Sequence, residues 1–221
     1  MDHNILTKRQ LALLEAIQKI PALSGNFYLT GGTALAAFYL HHRYSEDLDF
    51  FSEHEIDLLP LNTFFTLYKK ESGITLIDFQ QSFNRNLFFL HFPDKEILKT
   101  EFTYFPFPRI IPEKQKDGLN IDSALDIAVN KLFTIYQRSA ARDYIDLYCI
   151  HQKFGFTMGE LIEKAKIKFD WHIDPLQLGT QFIKAQTAED FPRMIQELSP
   201  EEWRGFFKDE ALKLKKDILA E

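Results

Sequence analysis

The residues best suited to chemistry lie in residues 29–51, with the sequence LTGGTALAAFYLHHRYSEDLDFF. The stretch opens with the pair Gly31 and Gly32 and closes with the carboxylates Asp47 and Asp49. Because glycine has no Cβ, its backbone N–H groups can approach a phosphate closely. Carboxylates are oxygen ligands of the kind that Mg²⁺ prefers. The stretch therefore predicts a nucleotide-binding turn followed by a divalent-metal site.

The elements on either side of the glycine pair favour a strand that passes directly into a helix. Residues 27–29 are apolar, and residues 33–37, TALAA, form helices readily. The N-terminus of such a helix favours an anion, since its dipole and its free N–H groups point there. Thr33 then either caps the helix or contacts the phosphate. A glycine pair in an ordinary turn is the alternative.

Asp47 and Asp49 lie in SEDLDFF, whose apolar residues predict a strand. Side chains at alternate positions of a strand point to the same face, so we expect both carboxylates on one face. A bound cation would relieve the repulsion between them. An Asp-x-Asp pair is also common on solvated strands, so the interpretation depends on its order and spacing after the glycines.

A second cluster of charged residues lies in residues 122–154. A helix with an apolar face is predicted after Asp122 or Ser123, and it carries Lys131. A further helix from about residue 141 places three charged residues on neighbouring positions, with an i, i+4 arginine–aspartate spacing that favours an ion pair. They are Arg142, Asp143 and Asp146. Ordinary surface charges are the alternative.

The succession GGTALA, HHR and SEDLDF resembles the polymerase β-like nucleotidyltransferase superfamily, and more closely its AbiEii/AbiGii toxin-like branch. The resemblance covers roughly residues 25–150. It implies transfer of a nucleoside monophosphate from a nucleoside triphosphate (NTP), with Mg²⁺ or Mn²⁺ as cofactor. Gly31 and Gly32 would hold phosphates, and Asp47 and Asp49 would hold the metal.

The resemblance also implies a third carboxylate on a neighbouring strand, and Glu101 in LKTEFTYF is the candidate. It would complete the metal cluster and accept the proton of the attacking hydroxyl. An edge-strand glutamate facing water is the alternative for Glu101. Asp78 is the alternative third carboxylate.

Further roles follow from the same resemblance. Lys131 matches a family lysine that neutralises triphosphate charge, and Arg142, Asp143 and Asp146 match an RDxxD-type motif. The HHR turn would shape the nucleotide pocket, with Arg43 near a phosphate and Ser45 steadying the loop. A zinc site at the histidines is not expected, because the one cysteine supplies no ligand set.

The motifs leave the acceptor open. Toxin-like relatives suggest RNA, with a tRNA 3′ end as the leading choice, whereas a protein hydroxyl would make the chain a protein adenylyltransferase. A catalytically silent module that binds a partner such as an antitoxin is the third interpretation. The net charge of −6 argues against a general nucleic-acid coat, and no DNA partner is expected. Lys164, Lys166 and Lys168 either line a local RNA groove or form a solvated helical face.

Length and composition favour a compact cytoplasmic protein. The chain has 221 residues, 45% of them apolar, and one cysteine, so it can bury a large core without a disulfide. No membrane-length apolar run occurs, and no membrane partner is expected. We predict an α+β fold, a small mixed sheet with flanking helices followed by a C-terminal helical bundle. Residues 1–121 would be the nucleotidyltransferase core, and residues 122–221 a helical region completing the active-site cleft.

Overall fold

The computed structural model describes residues 5–112, 114–116 and 118–218. By its internal contacts the chain divides into two compact units. The sheet unit consists of Met1–Phe38, Ser45–Pro108 and Pro112–Ser123, and the helical unit of Tyr39–Tyr44, Arg109–Ile111 and Ala124–Glu221. The helical unit therefore includes the HHR turn of the motif stretch. The division into a nucleotidyltransferase core of residues 1–121 and a helical region of residues 122–221 stays a prediction.

One mixed sheet organises the sheet unit. Its strands within the described residues are β1 (Tyr28–Thr30), β2 (Leu48–Ser52), β3 (Leu76–Ser82), β4 (Arg85–His91), β5 (Ile97–Tyr104), β6 (Lys114–Lys116) and β7 (Leu119–Ile121). The strand order is β3-β4-β5-β2-β1-β7-β6. Strand β2 pairs antiparallel with β1 and parallel with β5. The strand that begins after Asp47 is therefore in the middle of the sheet.

Phenylalanine side chains fill the core of the sheet unit. The rings of Phe50 and Phe102 stack with centroids 4.9 Å apart, and those of Phe65 and Phe88 with centroids 4.1 Å apart. These four side chains are almost fully buried. Each buries a large apolar area, so they contribute strongly to holding the strands together. Their prediction as core residues is confirmed.

The helices of the sheet unit begin and end where the sequence signals them. They are α1 (Lys8–Gln18), α2 (Pro21–Ser24), α3 (Gly31–Leu35) and α4 (Leu58–Ser72). A capping box between Thr7 and Gln10 starts α1, because each side chain binds the other residue's free backbone N–H. The short α3 continues as a π-helical turn, Ala36–Leu40, which no sequence pattern predicted.

The helical unit contains α5 (Ala124–Gln137), α6 (Ala141–Phe154), α7 (Met158–Phe169), α8 (Pro175–Lys184), a short 3₁₀ turn (Ala185–Thr187) and α9 (Pro200–Ile218). Tyr144 on α6 stacks on Trp203 and meets Phe207 edge to face, both on α9. Pro175 and Pro200 stand at the first positions of their helices, where proline is favoured because no N–H partner is needed.

The predicted fold class is confirmed: a mixed sheet with flanking helices precedes a helical region. The apolar runs ITLIDFQQ, LFFLHF and ILKTEFTYF predict short strands over residues 74–81, 87–92 and 97–105, and these correspond to β3, β4 and β5. The prolines of residues 105–118 predict a connection, but that stretch contains β6. Within the described residues, no helix is long and apolar enough to cross a membrane.

Candidate active site

The glycine turn and Asp49 are built against each other. Gly31 has a φ of +70°, and a Cβ placed there would lie 2.7 Å from Asp49 Oδ2. Both the left-handed backbone and the close approach disfavour a side chain at this position. The antiparallel pairing of Thr30 with Asp49 produces this approach. Glycine at residue 31 therefore allows the first turn of α3 to lie directly beside a carboxylate.

Thr33 ties the same turn to the start of β2. Its hydroxyl donates a hydrogen bond to the Asp47 carbonyl oxygen, and the residue is buried. Thr33 therefore does not cap the helix, one of the two roles predicted for it. The bond fixes the backbone of Asp47 relative to Gly31, so the turn and the two aspartates form one rigid element.

Asp47 and Asp49 lie on the same face of the sheet, as the strand spacing predicts. Both residues are partly exposed. Lys99 of β5 places its Nζ 2.8 Å from Asp47 Oδ2, and the two side chains are 27% and 40% exposed, respectively. Asp47, one of the two predicted metal ligands, is therefore already paired with the cationic side chain of Lys99.

Glu101 is a buried residue of an interior strand, so the alternative of a water-facing edge glutamate is wrong. It pairs in register with Asp49. Arg85 Nε and Nη2 donate to its two carboxylate oxygens at 2.6 Å each, and Thr103 Oγ1 donates to Oε1 at 2.6 Å. Burial raises the pKa of Glu101, but these hydrogen bonds and the charge of Arg85 outweigh it and hold that pKa below its usual value.

The residues present fit a metal held by two carboxylates. Asp47 and Asp49 are accessible, share one face and lie beside backbone N–H groups suited to a phosphate. Among the residues that the structure describes, no group of three or more His, Cys, Asp or Glu side chains is arranged to hold a metal ion. Glu101 is engaged by Arg85, so its role as third ligand stays a prediction. Asp78 lies three strands from β2, roughly 14 Å along the sheet.

A second charged cluster lies in the helical unit and centres on Asp146. Arg43 Nε and Nη2 donate to its two oxygens at 2.6 and 2.7 Å, and Lys131 Nζ lies 2.7 Å from Oδ2. His42 Nε2 lies 2.8 Å from Oδ1. Lys131 also donates to Asp143 at 2.7 Å. We call these five residues the buried network, since all five are buried.

The charges of the buried network hold each other ionised. Burial raises the pKa of Asp146, but the charges of Lys131 and Arg43 and their hydrogen bonds outweigh it and hold that pKa well below its usual value. Burial lowers the pKa of Lys131, whereas Asp146 and Asp143 raise it above its usual value. Lys131 and Asp146 are therefore charged at neutral pH.

The structure brings some of the predicted site residues together and separates others. Asp143 and Asp146 meet Lys131, but the arginine that pairs with Asp146 is Arg43, and Arg142 is exposed. Ser45 is held through its carbonyl oxygen, which accepts a hydrogen bond from Gln10. The catalytic and nucleotide-binding roles of these residues stay predictions.

Two side chains that contact predicted site residues were not predicted: Lys99 binds Asp47, and Arg85 binds Glu101. The alternation in LKTEF places Lys99 on the face of Glu101, so the sequence held a signal for Lys99. Arg85 lacks such a local signal, because its partner lies on another strand. His42, a residue of the HHR turn that was predicted to shape the nucleotide pocket, binds Asp146.

Of the three lysines considered either for a local RNA groove or for a solvated helical face, Lys168 fits neither alternative. Lys168 is buried and its Nζ lies 2.8 Å from Asp126 Oδ1. Asp126 also accepts hydrogen bonds from the backbone N–H groups of Ile110 and Ile111. Lys168 therefore holds the fold of the helical unit, and it is not available at the surface to an RNA.

Comparison with known proteins agrees with this geometry. Residues 12–219 match the family described as nucleotidyl transferase AbiEii toxin, type IV TA (toxin–antitoxin) system. The uncharacterized protein aq_aa25 of Aquifex aeolicus (strain VF5) is 30% identical over 200 residues, covering 88% of this chain and 91% of that protein.

Solved structures show the same fold. A putative nucleotidyltransferase from Helicobacter pylori superposes with a TM-score of 0.62 at 23% identity, covering 97% of this chain and 98% of that one. The nucleotidyltransferase toxin MenT4 of Mycobacterium tuberculosis superposes with a TM-score of 0.56 at 13% identity, covering 94% of this chain and 84% of that one.

The family match extends over nearly all of the sequence, and the matching family is described as a nucleotidyl transferase. The chain is therefore a nucleotidyltransferase, and its glycine turn beside an aspartate of the mixed sheet fits that class. The chain belongs to the AbiEii family of nucleotidyltransferase toxins of type IV toxin–antitoxin systems. The predicted resemblance and the predicted enzyme class are thereby confirmed.

Proposed function

We propose that this nucleotidyltransferase moves a nucleoside monophosphate from an NTP to a hydroxyl of RNA, with a tRNA 3′ end as the acceptor. The choice of RNA rests on the resemblance to toxin-like nucleotidyltransferases. One observation carries the choice of reacting site: the backbone of Gly31 lies so close to Asp49 that a Cβ on the glycine would be 2.7 Å from Oδ2. This close approach supports the proposal, because it brings a backbone suited to phosphate next to a carboxylate suited to a metal.

Asp47 and Asp49 are the residues that would hold a divalent ion, Mg²⁺ or Mn²⁺. Bound there, such an ion would neutralise the phosphate that is transferred and stabilise the attacking and leaving oxygens. Substrate phosphates commonly complete the coordination of Mg²⁺ when a protein supplies only one or two carboxylates. A site of two aspartates is therefore sufficient when the NTP is bound.

The remaining work falls to the protein's own groups. The backbone N–H groups of Gly31 and Gly32 bind phosphate oxygens and orient the transferred phosphorus for in-line attack. Thr33 holds Asp47 in position through its carbonyl. Glu101 keeps its predicted role of accepting the proton of the attacking hydroxyl. Positioning and charge neutralisation supply most of the rate enhancement.

The buried network belongs to the same proposal. Lys131 neutralises triphosphate charge, as the resemblance implies, and Asp143 and Asp146 position its ammonium. Their contacts of 2.7 Å with Lys131 support the positioning role. Arg43 and Arg142 keep their predicted roles near phosphate, which substitution of each by glutamine tests.

An antitoxin partner follows from membership of a toxin–antitoxin family. We propose that this partner counters the transferase in the cell and that the chain acts in the cytoplasm. Expression of the chain alone should inhibit growth, and co-expression of its antitoxin should restore growth. Growth inhibition that survives Asp49→Asn would contradict a role of the transferase in toxicity.

Transfer of label tests the reaction and the acceptor together. The full chain is incubated with Mg²⁺, each of the four α-³²P NTPs, and tRNA, periodate-oxidised tRNA, total RNA or total protein. We expect label on tRNA from at least one NTP. It should be absent from oxidised tRNA, because periodate destroys the 3′ diol. Asp47→Asn and Asp49→Asn should abolish it.

Asp78→Asn is the matched control, because it removes a carboxylate of the same sheet three strands from β2. This variant should label tRNA as the unaltered chain does. Label on protein in place of RNA would make the chain a protein adenylyltransferase. No label on either fraction, from any NTP, would overturn the transferase and favour a silent partner-binding module.

A further inference from the structure

The ion pair between Lys99 and Asp47 lies in the centre of the proposed metal site. Lys99 Nζ lies 2.8 Å from Asp47 Oδ2, a distance at which the ammonium fills one coordination position of that carboxylate. A carboxylate oxygen bound to an ammonium is less available to a metal. Opening the pair would free this oxygen of Asp47 for a divalent ion.

Exposure indicates that the pair is able to open. The side chains of Lys99 and Asp47 are 27% and 40% exposed, whereas those of Lys131 and Asp146 in the buried network are 11% and 0% exposed. Solvent-exposed ion pairs are weak because water screens them and because two long side chains must be ordered. Lys99 is therefore held loosely enough to exchange its partner.

Register places Lys99 where an incoming phosphate would meet it. On β5 it precedes Glu101 by two residues, so both side chains belong to the same face. Glu101 lies opposite Asp49 in the parallel pairing of β5 with β2. The lysine, the glutamate and the two aspartates therefore share one face of the sheet, beside the glycine turn.

Electrostatics sets the direction of the exchange. A divalent ion on Asp47 would repel the ammonium of Lys99, since both carry positive charge at close range. An NTP entering with the ion brings several negative oxygens to the same place. Lysine binds phosphate as a mobile point charge on a flexible stem. The triphosphate is thus the natural new partner of the displaced ammonium.

We propose that Lys99 occupies the metal's place on Asp47 while no nucleotide is bound, and that it transfers to the triphosphate when metal and nucleotide enter together. The inference rests on the proposed function and adds a regulatory feature to it. Metal alone binds weakly because it must displace Lys99. Metal and triphosphate bind cooperatively because the displaced ammonium gains a phosphate.

Direct metal binding tests the exchange without any turnover. Mn²⁺ affinity of the full chain is measured by electron paramagnetic resonance, with and without inorganic triphosphate, which has no base to select. We expect Lys99→Gln to bind Mn²⁺ alone about tenfold more tightly than the unaltered chain, since the competing charge is gone. The same variant should bind triphosphate in the presence of Mn²⁺ more weakly, by about tenfold.

Two further variants make the result specific. Lys99→Arg keeps the charge, so its Mn²⁺ affinity without triphosphate should stay within about twofold of the unaltered chain. Lys70→Gln, an exposed lysine of α4, controls for the change in net charge and should alter neither affinity. Circular dichroism and thermal unfolding establish that each variant is folded.

The outcomes separate the two proposals. Equal Mn²⁺ affinity of the unaltered chain and Lys99→Gln, with binding lost in Asp49→Asn, would overturn the exchange and leave the metal site standing. Tighter Mn²⁺ binding by Lys99→Gln with undiminished triphosphate binding would also overturn it, because no transfer to phosphate would then occur. Absence of Asp49-dependent Mn²⁺ binding in every variant would overturn the metal site and the exchange together.

Discussion

The carboxylate site of the sheet unit and the buried network of the helical unit use the same residue types in different surroundings. In the network, Asp146 is fully buried and accepts contacts from Arg43, Lys131 and His42. At the carboxylate site, Asp47 is 40% exposed and contacts Lys99. The ion pairs of the buried network are thus fixed, whereas the ion pair at the carboxylate site can exchange its partner.

The difference in burial separates two uses of an ion pair. Opening a buried pair leaves a desolvated charge, which is strongly unfavourable, so such a pair acts as part of the scaffold. Opening an exposed pair costs little, since water replaces the lost partner. A site that must admit metal and substrate needs the second kind. We therefore expect substitutions in the buried network to lower stability more than substitutions at the carboxylate site.

The largest expected effect is on activity at the carboxylate site. Asp49→Asn should lower kcat/KM for nucleotidyl transfer by about 10³-fold or more, because the metal contribution to the transition state amounts to several kcal/mol. The free energy of unfolding should change little, since the side chain is partly exposed. Urea unfolding and the transfer assay on one preparation check both. A tenth or more of the activity retained by the folded variant would contradict the assignment.

Asp146→Asn should lower the free energy of unfolding strongly, in contrast to Asp49→Asn. It leaves Arg43 and Lys131 buried without their charged partner, and we expect a loss of about 3–5 kcal/mol in the free energy of unfolding. Arg142→Gln changes an exposed residue of the same helix and should cost under about 0.5 kcal/mol. Urea unfolding compares the two variants. A loss below about 1 kcal/mol in Asp146→Asn would show that the network is not a scaffold.

Gly31→Ala tests the close approach of the glycine turn to Asp49, and Gly73→Ala is its matched control. Both residues have φ near +70°, but a Cβ at Gly73 meets nothing within 4 Å. Both variants should therefore lose about 1 kcal/mol from left-handed backbone strain. Only Gly31→Ala should also displace Asp49 and lower transfer, by about tenfold to a hundredfold. Equal activities of the two variants would contradict the proposed contact.

The pH dependence of stability should also reflect the buried network. The pKa of Asp146 in the folded protein lies well below its usual value, so its contribution is present above the pKa of the unfolded chain, about 4. It is lost as the pH falls through the folded pKa. Melting temperatures from pH 7 to pH 3 should fall more steeply below pH 4 in the unaltered chain than in Asp146→Asn. Parallel curves would contradict this role for Asp146.

Local patterns made part of this structure predictable. The period of two in SEDLDFF places Asp47 and Asp49 on one face, and the strand is observed as β2. Thr7, Pro175 and Pro200 mark helix starts because they satisfy or avoid free N–H groups at those ends. Such features depend on neighbours within a few residues, which the sequence displays directly.

Long-range contacts escaped prediction for a physical reason. Sequence spacing favours an Arg142–Asp146 pair within one helix, but the arginine that reaches Asp146 is Arg43, separated from it by 103 residues. Only the tertiary fold decides which arginine is buried with that aspartate. Strands β6 and β7 have three residues each, too few for an alternating pattern to emerge from a proline- and lysine-rich segment.

NTP analogues that carry sulfur at the α-phosphate test most directly whether a metal on Asp47 and Asp49 contacts the transferred phosphate. Sulfur binds Mg²⁺ poorly but accepts softer ions. One diastereomer should react slowly with Mg²⁺ and recover with Mn²⁺ or Cd²⁺, and Asp49→Asn should lack the recovery. Equal rates of both diastereomers with every ion would contradict a metal at the transferred phosphate.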